Sequence, residues 1–226
     1  MDLRTMITQV RVKLKDLSVR SFQEPEIIFA LNEGKDELVK IIRNANESFF
    51  EDTATGTISS TTTPNYSTIS LPTDFAQLRQ IGITSSGMED IGFIKMNQSD
   101  ARFKAALLDG GSFAGGQHAF YYDFVGLSTL ILAPGADVDL AYKLDYIKTV
   151  PDMALPADTP SEIPAEHHGF IVTWAIVELL PDGDPRIEKY KSKLDFQKDS
   201  TIASVNTRQV KEPEFVVGFM EEEFWG

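Results

Sequence analysis

The sequence predicts an α+β fold: a four-helix bundle built from N- and C-terminal helix pairs, with an inserted antiparallel β barrel or sandwich and an extended C-terminal arm. Three observations carry the prediction. Apolar residues recur at helical spacing near both ends of the chain and lose that spacing in between. The middle is dominated by Thr, Ser and β-branched residues broken by glycines and prolines. Residues 163–180, IPAEHHGFIVTWAIVELL, are apolar almost all the way round, and a helix of that kind must be covered by partners on most of its circumference. The expected segments are 1–46 (first helix pair), 47–156 (inserted β domain), 157–206 (second helix pair) and 207–226 (interaction arm).

Leu3, Met6, Ile7, Val10, Leu14 and Leu17 follow one another at steps of three and four, so they line one face of an opening helix. Arg4, Arg11, Lys13 and Lys15 make this end basic, either as a solvated face or as a contact for an acidic partner. A second helix starts near Pro25 and carries Ile27, Ile28, Leu31, Leu38, Ile41, Ile42 and Ala45 along one side. Gly34 interrupts it. Glycine costs about 1 kcal/mol relative to alanine inside a helix, so a close helix crossing is expected at that point.

Beyond Ser48 the turn signals are Gly56, Pro64, Pro72, Gly87, Gly92, Gly126 and the pair Pro134-Gly135. The clearest strand is VDLAYKLDYI, in which Val138, Leu140, Tyr142, Leu144 and Tyr146 alternate with Asp139, Lys143 and Asp145, one face packed and one wet. AFYYDFV and LSTLILAP precede it across short turns, which suggests a three-stranded meander; ISLP, QLRQIGI and IGFIKM supply more strands. SDARFKAALL reads as a short helix, and DGGSFAGGQH as a mobile loop. After a proline-rich return, Pro164 suits the first position of the central helix and Pro181 ends it. That helix is shorter than the roughly 20 apolar residues a bilayer crossing needs. A last long helix opens with Asp184 as N-cap and Pro185 behind it, and its narrow stripe is Ile187, Tyr190, Leu194 and Ala203.

Hydrophobic residues make up 42% of the 226, enough for real cores. With 21 basic against 34 acidic residues the net charge is −13, so the chain as a whole should repel nucleic acid. The absence of cysteine removes disulfides, thiolate metal sites and cysteine nucleophiles. The opening residues do not form a secretory signal, which leaves the three glycosylation-like triplets at Asn46, Asn65 and Asn97 without meaning.

Motifs for chemistry are weak. His167 and His168 beside Glu166 lack the i, i+4 spacing of a metal-binding helix, so capping or packing is the reading. Gly110 and Gly115 have phosphate-loop spacing, but Gln117 stands where lysine is required. Ser128 lacks the second glycine of a nucleophile elbow. No cofactor, metal or catalytic residue is therefore assigned, although a hydrolase with paired carboxylates in the β domain is the alternative from another class. The end of the chain is different. Phe215, Val216, Val217, Phe219, Met220, Phe224 and Trp225 have no helical period, while Pro213 and Gly218 oppose a helix. They are too apolar for a solvated tail, so Phe215, Val217, Phe219, Met220, Phe224 and Trp225 are the expected partner-binding residues of an arm that docks on another chain, kept soluble by Glu221 to Glu223.

The order of elements, LPTDF at Leu71–Phe75 after YSTIS, ILAPGADVD at 131–139 leading into AYKLDYI, and IPAEHHGFIV opening the third long helix together resemble the head-to-tail adaptor (connector) proteins of tailed bacteriophages. The resemblance covers roughly residues 1–200 and fails for KEPEFVVGFMEEEFWG. It implies a virion structural protein of the neck, not an enzyme. Its partners would be a portal protein, a tail or tail-nozzle protein and copies of itself in a ring, usually twelve, with no membrane involved. Genomic DNA would pass through without specific binding, along a wall for which Glu188, Asp195 and Asp199 are the acidic candidates. A tail-completion or other neck protein is the alternative within the class.

Overall fold

The computed structural model describes residues 1–16, 21–60, 66–85, 92–108, 119–136 and 138–209. The chain divides into two compact units: residues 1–49 with 152–226, and residues 50–151.

The first unit is helical. Helix α1 (Leu3–Leu14) is capped by the Asp2 carboxylate, which accepts from Thr5 N–H at 2.8 Å, and it buries Leu3, Met6, Ile7, Val10 and Leu14. Leu17 lies outside the described residues. Lys15 ends the helix in a left-handed conformation, φ 61°. Buried Asp16 then accepts from Arg11 Nη1 and from the Ser21 and Phe22 amides, which holds the start of the next helix close. Helix α2 (Glu24–Ala45) opens on a capping box between Gln23 and Glu26, with Pro25 in its first turn. It buries Lys35, whose ammonium meets Asp36 at 3.1 Å and also pairs with Asp152.

Gly34 has the close crossing expected of it. A Cβ there would stand 3.0 Å from both the Ile171 carbonyl oxygen and Trp174 Cβ. Those residues belong to α4 (His168–Leu179), which follows a 3₁₀ turn at Ala165–His167. Pro164 therefore sits just before the turn, earlier than the first helical position assigned to it, because the chain enters through 3₁₀ geometry. Phe170, Ile171, Val172, Thr173, Ala175 and Ile176 are buried, and α4 touches α1, α2 and α5. In α5 (Arg186–Gln209) the Asp184 carboxylate accepts from Arg186 N–H at 2.8 Å, as an N-cap should. The stripe departs from expectation at its C-terminal half. Ala203 is exposed, and buried Thr201 and Val205 continue the line of Ile187, Tyr190 and Leu194 because they keep the helical step.

The second unit contains two sheets around one core. Strands β1 (Glu51–Ile58), β3 (Phe75–Ile83) and β7 (Leu140–Lys148) form an antiparallel sheet in the order β1-β7-β3. Strands β2 (Ser67–Ser70), β4 (Gly92–Lys95), β5 (Ala119–Val125) and β6 (Thr129–Ala133) form the other, in the order β2-β6-β5-β4. Ile58, Ile81, Leu140 and Leu144 from the first sheet and Ile69, Phe120, Leu130 and Leu132 from the second share the interior. Leu71 and Asp74 of LPTDF anchor the entry to β3: Leu71 is buried and Asp74 accepts from the Tyr146 hydroxyl at 3.0 Å. Ser67 fixes ILAPGADVD by accepting from Ala136 N–H at 3.0 Å.

Five expectations for this unit are corrected. Among the described residues the sheets do not close into a barrel, because no strand pairs with both. The three-stranded meander is absent as well: β5 and β6 form a hairpin, but β7 crosses to pair with β1 and β3. The region is not wholly antiparallel, since β4 and β5 pair in parallel across helix α3 (Ala101–Leu108), the crossover such a pair requires. Phe103 and Ala106 of α3 bury against Ala133. Gly56 is not a turn residue but lies inside β1, opposite Tyr142, where an added Cβ would fall 2.7 Å from the tyrosine hydroxyl. Val138 is exposed and precedes β7. The loop DGGSFAGGQH lies outside the described residues.

Candidate interaction surfaces

The arm residues Phe215, Val217, Phe219, Met220, Phe224 and Trp225 lie outside the described residues. Glu188, Asp195 and Asp199 are all exposed along one face of α5, where exposed Lys191 stands between Glu188 and Asp195, with Lys189, Lys193 and Lys198 exposed to either side.

The adjacent histidines serve packing. His167 Nδ1 meets the Thr201 hydroxyl of α5 at 3.1 Å, and His168 Nε2 lies 2.9 Å from the Ile163 carbonyl oxygen. Burial pushes the His168 pKa down, which keeps its ring neutral. Among the described residues no group of three His, Cys, Asp or Glu side chains could hold a metal ion. A cleft in the β unit gathers Glu51, Asp52 and Asp145, but each has a partner there. Glu51 faces Arg79 at 3.6 Å, Asp52 faces Lys148 at 3.4 Å, and Asp145 accepts from Thr53 Oγ1 at 2.7 Å. Hydrogen bonds from Thr53 hold both Asp52 and Asp145 below the ordinary carboxylate range, the reverse of what a general acid needs.

Two apolar grooves are the notable surfaces. One, of about 540 Å³, opens in the β unit between Phe75, Leu78, Tyr122, Phe124 and the hairpin tip at Leu127. Lys95 stands over the Phe124 ring at 5.3 Å. The other, of about 740 Å³, runs along α2 between Phe22, Pro25, Phe29, Ala30 and Leu179, with Glu26, Glu33 and Glu178 at its rim. Phe29 is 65% exposed. The sequence reading missed it, although the signal was present: Phe29 falls off the buried stripe and onto the helix face that carries Glu26, Glu33 and Asp36. On α1 the outward face consists of Arg4, Thr8, Val12 and Lys15.

Among the described residues no helix is long and apolar enough to cross a membrane. A search of curated proteins finds no match. A family model does match: that of the SU10 adaptor protein, over residues 1–212, which takes in both units. With all but the last stretch of the chain covered, this protein belongs to the SU10 adaptor protein family, a family of bacteriophage structural adaptors.

Proposed function

We propose that this chain is a non-enzymatic head-to-tail adaptor: copies of it, twelve by the family's usual arrangement, form a ring between the portal and the tail and continue the channel through which DNA passes. The observation that carries the reading is the family match over residues 1–212. Two physical features support it. The net charge of −13 suits a wall along which a polyanion slides instead of binding. Glu188, Asp195 and Asp199 on one face of α5 would give such a wall three carboxylates along half the helix, with Lys191 between them. The arm beyond α5, with Phe215, Val217, Phe219, Met220, Phe224 and Trp225, is the part that docks on the portal or on a neighbouring subunit.

The test is a phage that cannot make this protein. Filled heads and separate tails should accumulate, and supplying the protein in trans should restore joined particles with density in the neck. Normal virions without it, or the protein located away from the neck in restored particles, would overturn the reading.

A further inference from the structure

We propose that the groove beside Phe29 is the socket for the exposed face of α1 of a second copy of this chain, so that neighbouring subunits join head to tail through two different surfaces. The inference rests on the ring reading and names the contact that closes the ring.

The groove specifies what it takes. Its floor is apolar, from Phe22, Pro25, Phe29, Ala30 and Leu179. The outward face of α2 around it carries Glu26, Glu33 and Asp36, and Glu178 adds a further carboxylate at the rim. An exposed phenylalanine in such a setting is a surface that gains by being covered. The occupant must present an apolar knob flanked by cations. An acidic or neutral knob would leave the rim carboxylates facing like charge or losing water without a partner.

Cations are the scarce charge on this chain, 21 against 34; α5 mixes its lysines with Glu188, Asp195 and Asp199, whereas α1 carries its cations with no acidic residue. Its outward face, Arg4, Thr8, Val12 and Lys15, has no carboxylate, and Val12 at its middle is 54% exposed. Lys13 extends the basic surface toward α5, where partial burial, and then the neighbouring Lys193 charge, push its pKa down. The knob and the socket thus match in apolar character and oppose in sign. They also sit on different helices, so the contact is heterologous, the type that generates rings. A two-fold contact of the groove with itself would set Glu26, Glu33 and Asp36 against their own copies, which disfavours the isologous alternative.

The absence of cysteine allows a direct test. Val12→Cys and Phe29→Cys are placed on separate chains, at exposed positions whose substitution leaves the core intact. Particles assembled from the mixture are treated with a short bismaleimide. The expected product is a mixed V12C–F29C dimer, and a chain carrying both substitutions gives a ladder of higher oligomers. Glu26→Lys with Glu33→Lys should cut the mixed product at least tenfold, and adding Arg4→Glu with Lys15→Glu on the V12C chain should recover part of it. A neck ring that forms without the mixed product overturns this inference and leaves the adaptor reading standing. F29C–F29C dimers, or cross-links from F29C to a different virion protein, also overturn it. If the protein is absent from the particle neck altogether, the adaptor reading falls and this inference falls with it.

Discussion

Where α2 crosses α4, alanine at position 34 would bring its Cβ within 3.0 Å of a backbone carbonyl oxygen, that of Ile171, which cannot swing aside as a side chain can. The helix-propensity gain of about 1 kcal/mol is opposed by overpacking at about 1–3 kcal/mol. Gly34→Ala should therefore lower stability by about 1 kcal/mol in urea unfolding, whereas the same change at an exposed helix site would raise it. In the β unit Tyr146 is buried, donates to Asp74 and stacks on Phe75 at 5.9 Å. Burial, with the Asp74 carboxylate, pushes its pKa from 10.0 to about 12. Above pH 10 the unfolded chain releases the phenolic proton while the folded chain keeps it, so stability falls with rising pH between 10 and 12. Burial also raises Tyr122 and Tyr142, and ultraviolet titration should show among the late phenols one at about 12 that Tyr146→Phe removes. The substitution should also cost about 1 kcal/mol at neutral pH for the lost hydrogen bond.

Helix α5 runs to Gln209, so a deletion that spares it begins at residue 210. Removing 210–226 should leave the melting temperature of the isolated chain nearly unchanged and abolish incorporation into the neck, because the apolar positions of this segment are assigned to a partner. A large drop in melting temperature with normal incorporation would show instead that Phe215, Phe219 and Trp225 belong to the chain's own core. The family match ends at residue 212, so most of this segment lies beyond it. Within the β unit, β1 and β3 edge one sheet and β2 and β4 the other among the described residues. β2 and β4 have only four residues each and β3 carries two register shifts against β7, which leaves β1, with eight residues in continuous register, as the edge most open to stray pairing.

For the molecule as a whole, a net charge of −13 opposes self-association until complementary patches are brought together. Light scattering on the purified chain should give the monomer mass, 25.1 kDa, with rings appearing only when the portal is supplied. A stable twelve-membered ring from the chain alone would refute that order of assembly without touching the function. In the assembled ring the channel wall should show an excess of Asp and Glu, with Glu188, Asp195 and Asp199 among them. A wall dominated by Lys and Arg would refute the sliding argument.

Helices were legible from the chain because their evidence is local. The steps of three and four in Leu3, Met6, Ile7, Val10 and Leu14, the cap at Asp184, Pro25 in the first turn of α2, and the all-round apolar character of 170–176 each lie within a few turns of one another. Even the close crossing at Gly34 could be expected, since a glycine inside a helix needs a packing reason. Alternation in the same way identified β7 as a strand with Leu140, Tyr142, Leu144 and Tyr146 inward. Strand partners were not legible. Hydrogen bonding between strands carries no local signature, so nothing near β7 in sequence says that it leaves the β5–β6 hairpin to lie between β1 and β3, or that β4 and β5 run parallel. Buried polar groups were hidden for a related reason: Lys35 and His167 look like surface residues until Asp152 and Thr201, distant in the chain, are folded against them. Phe29 is the converse, an apolar residue that helical spacing already sets on the acidic face of α2, but whose groove, completed by Glu178 and Leu179 of α4, exists only once the helices pack. Periodicity and caps are properties of neighbours along the chain, and the sequence alone determined those; pairing, burial and exposure are properties of neighbours in space, and only the tertiary structure decided them.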